Sequence, residues 1–193
     1  DQAGFFNTPS ILFTDAVIMA FGGSHLELGE HMLCKEYFPN HNLSMTNALK
    51  NNLIHYYDFM TAYQNLLRDG GNFNTIELTS LNKDISLAPW PAQQSEIAFL
   101  GKRINNKQTI NLINFTNSTT QDWRDNKETQ IIPDDILNIK LVFTCDSKIK
   151  KIWFASPDYV GGASFSLDFR QTKNQVQFTI PYLKYWDMIV IEY

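Results

Sequence analysis

Apolar residues recur with a helical period in the first part of the chain. In the stretch TPSILFTDAVIMAFGG, Pro9 suits a first helical turn after Thr8, and Gly22 and Gly23 suit the end of the helix. One face of this helix would consist of Ile11, Leu12, Ala16, Met19 and Ala20. Because other apolar residues cover much of the remaining surface, the pattern predicts a buried helix over 9–21.

A longer amphipathic helix is predicted over 44–69, with Ser44 as its N-cap. Its apolar stripe consists of Leu49, Leu53, Tyr56, Tyr57, Met60, Tyr63 and Leu67. Between the two helices, SHLELG (24–29) alternates like a short strand, and a polar loop through Pro39 follows it. The order helix, strand, helix is typical of an α/β fold, but a single strand of this kind needs parallel neighbours.

The period changes to two from about residue 72 onward. Polar loops rich in Asn, Ser, Asp and Gly separate about eight candidate strands, which is typical of an antiparallel β-sandwich. Their sequences are TIELTS, EIAFLGKRI, TINLINFT, ILNIKLVFTC, KKIWFAS, ASFSLDFRQ, NQVQFTIPY and DMIVIEY. The chain is therefore predicted to be part α/β and part all-β, with 1–71 and 72–193 as separate domains.

Composition and charge restrict the function classes. The chain has 193 residues and a formal net charge of −4, which argues against a nucleic-acid partner. The chain opens without a signal peptide, and its apolar run at the first helix is too short to span a bilayer. Cys34 and Cys145 cannot form a disulfide framework, and both are expected to be free and buried.

Carboxylate, histidine and cysteine side chains are most concentrated at residues 22–40, GGSHLELGEHMLCKEYFPN. Neither the zinc deaminase motif nor H-E-x-x-H is completed here, so no metal ligand is predicted. Cys34 has no recognisable oxyanion hole or third partner, and the glycines do not match a dinucleotide fingerprint. We therefore expect no metal and no cofactor.

The carboxylates of this segment allow two interpretations. His25 and Glu27 share one side of the predicted strand, and Gly29 would let the backbone turn to present Glu30. If the strand belongs to a parallel barrel, its carboxyl end and the following loop line the active site. Such a rim suits a sugar, because carboxylates and imidazoles bind hydroxyls and Tyr37 can stack on a ring. In the other interpretation the segment is a solvated connection whose polar groups bind local backbone.

The sequences AFGGSHLELGEHMLCKEYFPN and NNLIHYYDFMTAYQNLLRDG resemble the last barrel segment of glycoside hydrolase family 66. This family contains dextranases and cycloisomaltooligosaccharide glucanotransferases. The resemblance covers residues 8–71 and implies the last helix, strand and helix of a (β/α)8 barrel, followed by a C-terminal antiparallel β-sandwich. It also implies an aspartate nucleophile and a glutamate acid/base on earlier strands, so no catalytic residue is expected in this chain.

The resemblance implies the C-terminal portion of an endo-acting, retaining glycosidase that cleaves α-1,6-glucan (dextran). His25, Glu27, Glu30 and Tyr37 would then bind the substrate, an α-glucan polysaccharide or oligosaccharide. The upstream part of the same enzyme would be the other partner, and a polymer substrate favours an extracellular or cell-surface location. The chain alone is expected to be inactive, and hydrolase and transglycosylase remain alternatives.

The alternative is a non-catalytic β-sandwich that binds carbohydrate or has a structural role. A binding module would need a coplanar set of exposed aromatic rings, for which Trp90 and Trp123 lie in loop sequence. Trp153 and Trp186 lie within apolar strands and are expected to pack in the core.

Overall fold

The computed structural model describes residues 3–25, 42–122 and 127–193. Within these ranges the α-helices are α1 (Thr8–Ala20), α2 (Asn47–Ala62) and α3 (Gln64–Leu67), and a short 3-10 helix spans Val160–Gly162. The strands are β1 (Gly4–Phe5), β2 (Leu43–Ser44), β3 (Asn72–Phe73), β4 (Leu78–Ser80), β5 (Leu87–Pro89), β6 (Ile97–Ile104), β7 (Lys107–Asn114), β8 (Ile136–Thr144), β9 (Lys151–Ala155), β10 (Phe165–Leu167), β11 (Phe169–Thr172), β12 (Gln175–Leu183) and β13 (Trp186–Glu192).

Helix α1 forms where the apolar pattern predicts it, and its two ends are defined by specific hydrogen bonds. Asn7 is the N-cap, because its side-chain oxygen accepts from the backbone N–H of Ser10 at 3.0 Å. At the other end Gly22 adopts a φ of +77°, and its N–H donates to the carbonyl of Met19. The N–H of Gly23 donates to the carbonyl of Ile18, which completes a Schellman motif.

Gly22 also lies against the end of α3. A Cβ atom at this position would lie 2.5 Å from the carbonyl oxygen of Leu67. We expect Gly22→Ala to lower the free energy of unfolding by more than the roughly 1–2 kcal/mol that the left-handed conformation alone costs an L-residue. Equilibrium urea denaturation measures this difference.

Gly70→Ala is the matched control. Gly70 has a φ of +84°, but a Cβ there would meet nothing within 4 Å. This variant should show only the conformational cost. If both variants lose the same free energy of unfolding, the close approach of Gly22 to the end of α3 does not require a residue without a side chain.

The second predicted helix is divided in two. Thr46 caps α2 by accepting from the N–H of Leu49 at 3.1 Å, so the helix begins after the predicted cap, Ser44. Ser44 belongs instead to β2, which pairs in parallel with β1. Tyr63 separates α2 from α3 with a φ of −113° and a ψ of 19°. Its hydroxyl donates to the carbonyl of Gly162 at 2.9 Å, which ties the helices to the turn after β9.

The strands after α3 form two sheets. The larger sheet has seven strands in the order β10-β9-β13-β7-β6-β3, with β5 also paired to β6. The smaller sheet has the order β11-β12-β8-β4. All pairs in the two sheets are antiparallel except β5 with β6. The mostly β character that the sequence predicts for this part of the chain is confirmed.

The larger sheet lies between two layers of apolar side chains. One core lies between the sheets and includes Ile110, Ile152 and Ile189 from the larger sheet, with Leu141 and Phe178 from the smaller one. The other core joins the opposite face of the larger sheet to the helices. Strand β7 is therefore almost continuously buried, because residues on both of its faces are covered.

One predicted strand, ASFSLDFRQ (163–171), is two strands in the structure. β10 pairs with β9 in the larger sheet, whereas β11 pairs with β12 in the smaller sheet. The chain changes sheets at Asp168. Leu167 and Phe169 both pack against the core between the sheets, whereas Phe165 is 36% exposed.

Two further expectations concern cysteine burial and membrane helices. Cys145 is free, as expected, but it is half-buried rather than buried because it follows the end of β8. Cys34 lies outside the described residues. Among the helices that are described, none has the length and apolar character needed to cross a membrane.

Candidate functional site

The predicted sugar-binding segment is only partly within the described residues. His25 is described, whereas Glu27, Glu30 and Tyr37 lie outside, in the gap between residues 25 and 42. The predicted strand SHLELG is described only at Ser24 and His25, which are in neither a helix nor a strand. The proposed proximity of the four residues therefore stays a prediction.

His25 is held by a buried carboxylate of α1. Its Nδ1 lies 2.7 Å from Oδ1 of Asp15, and the Asp15 side chain has no exposed area. The His25 side chain keeps 20% of its own area exposed. A carboxylate acceptor at Nδ1 favours a proton on that nitrogen and orients the ring. The sequence does not single out Asp15, which stands within the apolar helix pattern.

The β1–β2 pair fixes the other end of the segment. The N–H of Gly4 donates to the carbonyl of Asn42 at 2.9 Å, and the N–H of Phe6 donates to that of Ser44 at 3.1 Å. Each short strand leads directly into a helix, β1 into α1 and β2 into α2. Residues 26–41 thus lie in sequence between two strand–helix units whose short strands are parallel.

A second polar cluster, which the sequence did not predict, lies between α2 and the larger sheet. Oδ2 of Asp158 accepts from the backbone N–H groups of Tyr185 and Trp186 at 3.0 Å each, and from the Tyr56 hydroxyl at 3.4 Å. Burial raises the pKa of Asp158 to about 6, although these donors and Lys184 act in the opposite direction. Burial, followed by the Asp158 charge, raises the pKa of Tyr56 well above its ordinary value.

Asp187, on β13, is a second buried carboxyl group. It has no exposed area, and burial raises its pKa well above the ordinary value for aspartate. The residues on either side of it, Trp186 and Met188, face the helices. Side chains alternate along a strand, so Asp187 points between the two sheets. Asp158 is thus placed to hold α2 and β13 together, and Asp187 is buried where it cannot reach a substrate.

The aromatic residues proposed for a binding module do not form an exposed platform in the described structure. Trp186 is fully buried, and its indole N–H donates to Oδ1 of Asn111 at 2.9 Å. Trp153 is half-buried, packs on Tyr63 and donates to Glu192 at 3.0 Å. Trp90 is half-buried against Phe21, Phe115 and α1. Trp123 lies outside the described residues.

No group of three or more His, Cys, Asp or Glu side chains that could hold a metal ion occurs in the described ranges.

Comparison with known proteins identifies close relatives over nearly the whole chain. The model for glycosyl hydrolase family 66 matches residues 2–190. A cycloisomaltooligosaccharide glucanotransferase from Niallia circulans is 33% identical over 98% of this chain, and the match covers 20% of that protein. A dextranase from Streptococcus salivarius is 27% identical over 94% of this chain and 25% of its own length.

A solved structure shares the fold. It is a cycloisomaltooligosaccharide glucanotransferase from Paenibacillus sp., complexed with cycloisomaltoheptaose. It matches with a TM-score of 0.85 and 30% identity, over 97% of this chain and 27% of that one. The chain thus spans about a fifth to a quarter of the length of these relatives.

Proposed function

Because the chain belongs to glycosyl hydrolase family 66, we propose that it is the C-terminal portion of an endo-acting, retaining glycosidase that cleaves α-1,6-glucan, or of a related glucanotransferase. The observation that carries the proposal is the similarity, over 97% of this chain, to an enzyme whose structure contains a cyclic isomaltooligosaccharide. We assign 1–71 to the end of a (β/α)8 barrel and 72–193 to a C-terminal antiparallel β-sandwich.

The proposed chemistry uses two carboxylates that lie upstream of this chain. In a retaining mechanism one carboxylate attacks the anomeric carbon while the other protonates the leaving oxygen, and the second then activates water or an acceptor hydroxyl. Hydrolysis and glucan transfer differ only in that acceptor. A polymer substrate is consistent with action outside the cell.

The location of His25 beside α1 supports a position for the proposed sugar-binding residues near the beginning of that helix. His25, the last described residue before 26–41, lies beside Asp15 in the middle of α1. From Asp15 back to Thr8 the helix covers about 10 Å. From His25 to Glu30, five residues of extended chain cover about 16 Å, so a strand over 24–29 would bring Glu30 just beyond the beginning of α1. In strand–helix units this is the side on which active sites lie.

We propose that His25, Glu27 and Glu30 bind glucan hydroxyls, and that Tyr37 stacks on a sugar ring. In the full-length parent enzyme, Glu27→Gln should lower kcat/KM by about 1–3 kcal/mol of transition-state binding, the range for a hydrogen bond to a charged group. Release of reducing sugar from dextran measures this. Cyclic products, separated by chromatography, report transfer.

Glu77→Gln is the matched control, since Glu77 is exposed on the β-rich part of the chain. Its kinetics should equal those of the parent. A Glu27→Gln enzyme with unchanged kinetics would assign Glu27 a structural role, and a parent without activity on α-1,6-glucan would refute the proposed substrate.

The β-rich part has a second proposed role, as a support for the helices. The observation that favours this role over sugar binding is the position of Trp186 and Trp153, whose rings pack against α2 and Tyr63. Rings that are covered in this way cannot stack on a sugar. An affinity gel that contains dextran should therefore not retard the 193-residue chain, in which α2 and Tyr63 cover these two tryptophans.

A further inference from the structure

A half-open apolar cavity of about 270 Å³ lies between α1, Trp90 and the loop that follows β7. Its wall from α1 includes Phe13, Thr14, Val17 and Ile18, and Trp90 and Phe115 form the opposite wall. Thr14, Val17 and Ile18 are only half-buried, whereas most of the other α1 side chains are buried. The cavity therefore opens along the incompletely covered side of the helix.

Two of the polar side chains around this cavity, Thr14 and Gln130, already have partners. The Thr14 hydroxyl donates to the carbonyl of Ser10 at 2.9 Å. The side chain of Gln130 accepts from the N–H of Thr119 and donates to the carbonyl of Thr120. A sugar would have to compete with these internal bonds, whereas an apolar side chain would need none of them. The chemistry of the wall thus fits an apolar occupant.

The topology indicates where that occupant comes from. β1 and β2 are parallel, each leads into a helix, and α2 therefore belongs to the unit that follows α1. At 3.6 residues per turn, the buried residues Leu12, Ala16 and Met19, which share a core with α2, lie opposite the cavity residues Thr14, Val17 and Ile18. Successive strand–helix units advance in one direction around a sheet. A unit that precedes β1 would lie on the cavity side.

We propose that this cavity receives an apolar side chain from the strand–helix unit that precedes β1 in the parent enzyme. The proposal rests on the proposed function, because it takes the chain as the last part of a longer glycosidase. The relatives are long enough to supply the unit, since the chain matches only 20% of the Niallia glucanotransferase. The upstream part would then contact both α1 and Trp90, so one docking event would fix the barrel against the β-rich part.

Cysteine labelling tests this proposal in both forms of the protein. Val17→Cys introduces a thiol on the cavity wall, and Leu137→Cys introduces one on β8, where the native residue is 59% exposed. Each variant is prepared as the 193-residue chain and as the full-length parent, treated with a maleimide, and mapped by peptide mass spectrometry. The thiol at position 17 should react in the chain and lose its reactivity in the parent, whereas position 137 should react in both.

Several results would overturn the proposal. Equal labelling of position 17 in the chain and the parent would mean that no upstream segment covers the cavity. Protection in the isolated chain would mean that this chain or a second copy fills it. Protection of the isolated chain only by added isomaltooligosaccharide would identify a sugar site instead. Activity on dextran is measured separately, so a parent that is protected at position 17 but inactive would refute the proposed function alone.

Discussion

Replacement of Trp186 by alanine should lower the free energy of unfolding by more than about 4 kcal/mol. Trp186 has no exposed area, and its ring contacts Phe59 edge-on at 5.0 Å and Tyr56 at 6.0 Å. Large-to-small changes at such sites cost about 3–5 kcal/mol. The loss of its N–H also leaves the buried oxygen of Asn111 without this donor, which adds about 1–3 kcal/mol. The total is a large part of the stability of a typical domain.

Two further variants make this prediction measurable even if the alanine variant does not fold. Trp186→Phe keeps most of the ring and loses the hydrogen bond, so urea denaturation should show an intermediate loss. Phe165→Ala changes an aromatic residue on an edge strand that is 36% exposed, and it should cost much less. A Trp186→Ala chain as stable as Phe165→Ala would contradict the helix–sheet core described above.

The stability of the chain should fall as the pH rises from about 4 to above 6, through the titration of Asp158. The pKa of this carboxyl group is about 6 in the folded chain, against an ordinary value of 3.8. The folded state therefore holds a proton that the unfolded state has already lost. The stabilisation is fully present below pH 3.8 and is lost as the pH passes the folded pKa. A shift of about two units corresponds to at most about 3 kcal/mol.

Asp158→Asn isolates this effect from other titrating groups. The amide can present an oxygen to the same donors, Tyr56, Tyr185 and Trp186, but it does not titrate. Asp187 contributes in the same direction as Asp158, whereas Glu192 has a lowered pKa and contributes in the opposite one. The slope of stability against pH between 4 and 6 should therefore decrease in Asp158→Asn by up to about 1.4 kcal/mol per pH unit.

The exposed Asp84 provides the control for this experiment. Asp84→Asn should keep the slope of the original chain. If Asp158→Asn also keeps that slope, the buried position of the Asp158 carboxyl group is wrong. Urea denaturation at a series of pH values measures all three proteins, and it compares slopes rather than absolute stabilities.

The sequence predicts the helices and strands of this chain better than it predicts which of them pair or pack together. The apolar pattern locates α1 within a residue, but Asn7 and Thr8 are both good caps, and only the bond from Asn7 to Ser10 distinguishes them. Alternation predicts that residues 163–171 are extended. It cannot show that the chain changes sheets at Asp168, because both sheets accept the same apolar face.

At the candidate site, too, the sequence does not predict which residues are in contact. Alternation in SHLELG places His25 on one side of a strand, but it does not say which side faces α1. The structure shows that His25 Nδ1 contacts Asp15. Asp158 carries no sequence signal at all, because an aspartate in SPDY reads as an ordinary turn residue. Its raised pKa arises from burial between α2 and β13, which are distant in sequence.

Strand β13 lies in the middle of the larger sheet, between β9 and β7, and it also supplies Trp186 to the helix core. On the ribosome it emerges after every other strand described here. Until then β7 and β9 lack the neighbour they share, and α2 lacks the ring on which it packs. Apolar surface on β7, β9 and α2 therefore stays uncovered until β13 is synthesised, and a chaperone would be most useful at that stage.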